Sequence, residues 1–168
     1  DGKLTRPHGM TYRVLLLPDS LTIMPDALQK IYELVEAGAV VVGPKPQRSP
    51  SLHDYPNCDK QVRKLAAKLW GNCDGQNIKE NTFGKGKVIW GKSWKQIFTD
   101  LEVRPDFEYT SDWTNTRLNY IHRRVKQKDI YFVANRDGKA ADTICSFRVS
   151  GKQPELWYPD TGQIRKPA

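Results

Sequence analysis

The sequence is poor in cysteine. Its three cysteines, Cys58, Cys73 and Cys145, are an odd number with no C-x-x-C pair. Neither a disulfide framework nor a thiolate zinc site is indicated. A single Cys58–Cys73 bridge stays open for an exported protein, and with it the redox compartment. No apolar run approaches the roughly 18 residues that cross a bilayer, so no transmembrane helix is expected. No signal-type apolar stretch or initiator Met opens the chain, and a start at Asp1-Gly2-Lys3-Leu4 reads as cut from something longer. His8, His53 and His122 stand far apart with no pair at ligand spacing. Each reads as a surface or hydrogen-bonded histidine, and no metal site is expected. Gly84-Lys85-Gly86-Lys87 lacks the spacing of a phosphate loop and reads as a tight turn ahead of a strand. There are no internal repeats and no low-complexity tracts.

At 168 residues the chain can hold one domain or two small ones, and 38% hydrophobic with 27% charged residues excludes wholesale disorder. The net charge of +8 raises nucleic acid as a partner. Its distribution argues against one. Lys60, Lys64 and Lys68 recur every four residues beside Val62, Leu65 and Leu69, which is the solvated side of an amphipathic helix. No nucleic-acid reader motif accompanies them.

The first part alternates strands and helices. Val14-Leu15-Leu16-Leu17, ended by Pro18-Asp19, has the continuous apolar character of a strand buried on both faces. Pro25 suits the first turn of a helix carrying Ala27, Leu28, Ile31, Leu34 and Val35 at helical spacing, with Gly38 as its left-handed stop. Ala39 to Val42 is a second buried strand, and Asp59 to Trp70, stopped by Gly71, a second helix. Lys87 to Trp90 is a third strand, followed by a helix from the Ser93 cap to about Leu101. This order gives a parallel α/β layer with right-handed crossovers.

An irregular stretch from Glu102 to about Thr116 follows. Then come short antiparallel strands at 120–125, 129–134, 144–149 and 155–158, with turn signals about every ten residues. They suggest the start of a β-sandwich with too few strands to close it. The expected organisation is an α/β domain over 1–101, a linker over 102–118, and an antiparallel β segment over 119–168.

Two places could carry chemistry. Gly71-Asn72-Cys73-Asp74-Gly75 has the G-x-C-x-G form of a nucleophile elbow. An elbow needs a strand-to-helix turn, whereas this motif follows a helix and enters a polar loop at Gln76 to Asn81. Gly43 to Pro56 leaves the C-terminal end of a parallel strand, where ligands of open α/β sheets bind. It carries Lys45, Arg48, Ser49, His53 and Tyr55, suited to sugar hydroxyls or to another domain; the plainer reading is a proline-stiffened connector. Trp113, Trp157 and Tyr158 are candidate sugar-stacking aromatics.

The stretches Tyr12-Arg13-Val14-Leu15-Leu16-Leu17-Pro18-Asp19, Leu34 to Pro46 and Ser49-Pro50-Ser51-Leu52 resemble the amidotransferase-like, flavodoxin-like module of α-L-rhamnosidases of glycoside hydrolase family 106. The stretches Ile121-His122-Arg123-Arg124, Asp129 to Asn135, Phe147-Arg148-Val149 and Gly151 to Trp157 resemble the β-rich segment that follows it. The resemblance implies catalytic glutamates and a calcium ion in an upstream (β/α) barrel, so no catalytic or metal residue and no cofactor is assigned to this chain. It also implies a plant or microbial polysaccharide as substrate, the barrel of the same polypeptide as partner, and secretion or a periplasmic place. The leading expectation is a non-catalytic accessory portion of such a hydrolase. A carbohydrate-binding or interdomain-docking module and an independent amidotransferase-like enzyme using Cys73 are the alternatives.

Overall fold

The structure is a computed structural model that describes residues 4, 5, 7 and 9–166. It is a mixed α/β arrangement dividing into two compact units, residues 1–97 and 98–168. In the first unit, β1 (Leu4–Thr5) pairs antiparallel with β2 (Thr11–Tyr12). There follow β3 (Val14–Leu16), α1 (Pro25–Glu36), β4 (Val40–Val42), α2 (Asn57–Trp70), β5 (Glu80–Phe83) and β6 (Gly86–Ile89). Helix α3 (Trp94–Asp100) spans the division between the units.

The main sheet runs β3-β4-β6-β5. Its first three strands are parallel, with Leu15, Val41 and Val88 in register across them. Strand alternation places these three on one face. That face meets Leu28, Ile31 and Val35 of α1 and Val62, Leu69 and Trp70 of α2 in one core cluster, so both helices cover the same side. Full burial of each such side chain contributes about 1.5–3 kcal/mol. Lys60, Lys64 and Lys68 are exposed on the far side of α2, the solvated face that their spacing implies.

Helix α1 begins at Pro25 with no side-chain cap bond from Met24, and Gly38 follows its end with φ of 120°. Helix α3 is opened by a reciprocal pair. The Gln96 N–H donates to Ser93 Oγ at 3.3 Å, and the Ser93 N–H donates to Gln96 Oε1 at 3.0 Å. The C-terminal carbonyls of α2 are also satisfied. Asn81 Nδ2 donates to Leu69 O at 2.8 Å and Lys45 Nζ donates to Gly71 O at 2.9 Å. The Trp70 indole N–H in turn donates to Gly43 O, just after β4, at 3.1 Å.

Two expectations for this unit change. The strand at Val14–Leu16 is not buried on both faces: it is an edge of the described sheet, and Leu16 is 58% exposed. The polar loop expected to run to Asn81 ends earlier. Glu80–Phe83 forms β5, which turns through Gly84-Lys85 and pairs antiparallel with β6. An antiparallel edge strand needs only alternate half-burial, so Glu80 and Thr82 face water and its apolar signal is weak.

The second unit consists of two-stranded antiparallel pairs. Strands β7 (Phe107–Ser111) and β10 (Thr143–Phe147) pair, as do β8 (Leu118–Val125) with β9 (Lys128–Asn135) and β11 (Leu156–Trp157) with β12 (Ile164–Arg165). The expected strands are present. The stretch 102–118, expected as an irregular linker, contains β7, and β12 was not anticipated. Phe107, Tyr120, Tyr131 and Phe147 form a chain of ring contacts 4.8–5.3 Å apart between these pairs, through Phe107–Tyr120, Phe107–Phe147 and Tyr131–Phe147. No described residue from 98 onward is fully buried.

Candidate functional site

The segment leaving β4 is held in place by its backbone. The Gln47 N–H donates to Leu21 O at 2.8 Å, the Ile23 N–H donates to Arg48 O at 3.1 Å, and Thr22 bridges Arg48. The loop and α2 together border a hollow of about 520 Å³ lined by Lys45, Pro46, Gln47, Arg48, Asp59, Arg63 and Ala66. Three cations and one carboxylate make it net basic. Asp59 is partly occupied, since its Oδ1 accepts the Ser49 N–H at 2.9 Å and Arg63 lies 3.9 Å from its Oδ2. The sequence-derived set thus divides. Lys45 is tied to the end of α2, and Ser49 is buried with its Oγ accepting the Ser51 N–H. Arg48 lines the hollow, whereas His53 and Tyr55 are exposed on the outer part of the loop and do not line it. Arg63 and Asp59 were missed as lining residues; their i, i+4 spacing on the loop-facing side of α2 is the signal that could have found them.

Cys73 lies in the turn after the C-terminus of α2, not on a strand-to-helix elbow. It is 2% exposed, and burial pushes its thiol above the ordinary range. A buried thiol beyond a helix C-terminus lacks the positive field that makes a thiolate. Asp74, beside it, has a different task. Its Oδ1 accepts the backbone N–H groups of Gln76, Asn77 and Ile78 at 2.8–3.0 Å. These bonds hold its carboxyl down at about 2.

In the second unit, Trp113 is 65% exposed at a hollow of about 910 Å³. The hollow is also lined by Asn115, Arg117, Arg136, Asp137 and Lys139. The Arg117 side chain reaches Asp137 Oδ1 through Nε at 3.3 Å and Nη2 at 3.2 Å, and its backbone N–H donates to Asp137 Oδ2 at 2.8 Å. A bare indole beside fixed polar groups can stack on a sugar ring and bond its hydroxyls. Trp157 and Tyr158 do not line this hollow. Trp157 is exposed with its indole N–H on Glu155, and Tyr158 lies under the Arg165 guanidinium. Neighbours on an extended chain point to opposite faces, so the two share no platform.

The strongest polar cluster was not anticipated as one. His122 Nδ1 is 2.9 Å from Asp106 and its Nε2 is 2.9 Å from Asp129. Asp106 also accepts from the Tyr131 hydroxyl at 3.1 Å and Arg148 at 3.2 Å, and Asp129 pairs with Lys152. The Tyr131 ring stacks on His122 at 4.0 Å. Lys152 first, then His122, holds the Asp129 carboxyl below its usual range. Burial, reinforced by Asp106, pushes the Tyr131 hydroxyl up to about 12. His122 of β8, Tyr131 of β9, Arg148 and Lys152 occupy the two carboxylates, so the cluster ties together segments that are distant in sequence. Among the described residues no three or more His, Cys, Asp or Glu side chains are grouped so as to hold a metal ion. No helix among the described residues is long and apolar enough to cross a membrane. His8 lies outside the described residues.

The sequence model of the α-L-rhamnosidases of glycoside hydrolase family 106 matches residues 1–167. A protein of Formosa agariphila named "Putative beta-glucuronidase" is 39% identical over all 168 residues, which cover 100% of this chain and 13% of that protein. A solved rhamnosidase structure from Novosphingobium sp. PP1Y superposes with a TM-score of 0.85 at 32% identity, covering 98% of this chain and 15% of that one. The chain therefore spans about one seventh of the length of these relatives. With a whole-chain sequence match and a fold that agrees with it, the chain belongs to the α-L-rhamnosidase family, glycoside hydrolase family 106.

Proposed function

We propose that this chain is a non-catalytic accessory portion of a glycoside hydrolase acting on plant or microbial polysaccharide, packed against a catalytic barrel of the same polypeptide. One observation carries the reading: the whole chain is matched, yet it spans only 13% and 15% of the two relatives. In this reading the first unit is a flavodoxin/amidotransferase-like layer, supported by three parallel strands joined through helices. The second is the beginning of a β-sandwich, supported by its antiparallel pairs. The barrel would supply the acid and its partner carboxylate, which hydrolysis requires on either side of the scissile bond. The Pro44–Pro56 loop, with Arg48, His53 and Tyr55 outward, would face it. The family implies secretion or a periplasmic place. An antibody raised against this chain should detect, in extracts of its source, a polypeptide several times larger than 19.3 kDa. A native band at that mass alone would overturn the reading.

The relatives' names differ in the sugar, rhamnose against glucuronic acid. We assign the rhamnoside, with the family. Comparing aryl α-L-rhamnoside with aryl β-D-glucuronide on the long polypeptide tests the assignment, and faster turnover of the glucuronide would reverse it.

A second reading, a carbohydrate-binding module, is favoured by the exposed Trp113 at its hollow. Rhamnose-containing oligosaccharides should then quench tryptophan fluorescence in this chain, and Trp113→Ala should abolish the change. No change with the unaltered chain would remove this reading.

A further inference from the structure

The hairpin β8–β9 has two apolar faces, and among the described residues only one is covered. Residues directly opposite in its register share a face. Tyr120 with Val133 and His122 with Tyr131 lie on the inner one, which meets Phe107 and Phe147 of β7–β10. Ile121 with Phe132 and Arg123 with Ile130 lie on the outer one, continued by Val125. Ile121, Val125, Ile130 and Phe132 there are 51–57% exposed. The pair β7–β10 contrasts with this. Its face turned away from Phe107 and Phe147 carries Glu108, Thr110 and Ser146 with one apolar residue, Ile144. A strand that ends a layer alternates apolar with polar, as β7–β10 does, whereas a strand packed on both sides is apolar on both. The outer face of β8–β9 follows the second pattern.

We propose that this outer face is the docking surface for another segment of the same polypeptide, apolar at its centre and acidic at its rim. The inference rests on the accessory reading above and adds to it which surface is used. The occupant follows from size and charge. Two paired strands of eight residues make a face roughly 27 Å by 10 Å, roughly 270 Å². Stable association of free partners takes about 800 Å² from each side. A patch this small holds a partner only when tethering supplies a high effective concentration. The relatives carry the length for such a partner, since this chain accounts for 13% and 15% of them. Arg123 and Lys128 share the outer face and Lys126 stands in the adjoining turn, so the charge around the apolar residues is basic and the complementary rim is acidic.

The test places a single cysteine on each face in a Cys145→Ser background, with Phe132→Cys on the outer face of β8–β9 and Ile144→Cys as the control. In the 168-residue chain both should be alkylated at similar rates. In the full-length polypeptide the Phe132→Cys thiol should react about tenfold or more slowly, because a covered thiol is shielded, while the Ile144→Cys thiol keeps its rate. Hydroxyl-radical oxidation of unaltered Phe132 and Ile121 in both proteins gives the same readout where a variant fails to fold. Equal reactivity of Phe132 in the long and short chains overturns the proposal. So does protection in the short chain that grows with concentration, which would make a second copy the occupant, or protection that appears only on adding oligosaccharide. A native polypeptide no longer than this chain ends both this inference and the accessory reading. A long polypeptide with an unprotected Phe132 ends this one alone.

Discussion

Gly86 marks the tightest point of the parallel sheet. A Cβ there would stand 2.3 Å from both the Ala39 and the Val35 carbonyl oxygens, backbone atoms that cannot swing aside. Gly86→Ala should therefore destabilise the first unit by about 2–3 kcal/mol in a denaturant titration. Gly138→Ala, with nothing within 4 Å of the new atom, should leave stability unchanged. Equal behaviour of the two variants would mean that the sheet is looser than described. Cys73 and Cys145 make a second comparison. Cys73 is buried with its thiol pushed upward, whereas Cys145 is partly exposed. Iodoacetamide near neutral pH should modify Cys145 first and reach Cys73 only on unfolding; early labelling of Cys73 would revive the nucleophile reading. Asp74 gives a pH signature. Its folded value of about 2 lies below the ordinary carboxylate value of about 3.9. The stabilisation is thus present above that ordinary value and is lost as pH falls towards the folded one. Acid unfolding between these limits should be shallower in Asp74→Asn, and an unchanged acid profile would remove the role given to its three backbone bonds.

Among the elements, the hairpin β8–β9 carries the most testable chemistry. The Tyr131 hydroxyl is pushed up to about 12, so its neutral form is favoured in the folded chain. Its stabilising contribution is complete below the ordinary tyrosine value of about 10 and is lost as pH rises through the folded value. A phenolate titration should show one tyrosine ionising far later than the rest, and Tyr131→Phe should remove it. A late tyrosine that persists in the variant would place the effect elsewhere. This cluster was partly readable beforehand. Once the two-residue turn at Lys126-Gln127 is recognised, the register sets His122 opposite Tyr131 and Asp129 one diagonal away. What sequence does not reveal is Asp106, sixteen residues upstream and just before a strand hidden in a polar stretch. Helices α1 and α2 were legible because Leu28, Ile31 and Val35, and Val62, Leu65 and Leu69, repeat at 3.6-residue spacing and occupy the core. Strands β5 and β7 were not, since half-exposed strands alternate with polar residues and read as loop.

For the whole molecule, the two units differ in what they bury. The first closes a core around Trp70, Leu28 and Val88, whereas the second has no fully buried described residue. The loop after β4 was legible as a feature of the sheet's C-terminal edge, but the use of Lys45 at the end of α2 was not, because it depends on a contact 26 residues away. The central claim is that this chain assists a catalytic barrel and does not itself cleave a glycosidic bond. The most direct measurement is hydrolysis of an aryl α-L-rhamnoside by the purified 168-residue chain, beside the full-length polypeptide under the same conditions. The account predicts turnover by the long polypeptide and none by the chain. Turnover by the chain that disappears when one of its own carboxylates, such as Asp106 or Asp129, is changed to the amide would contradict it.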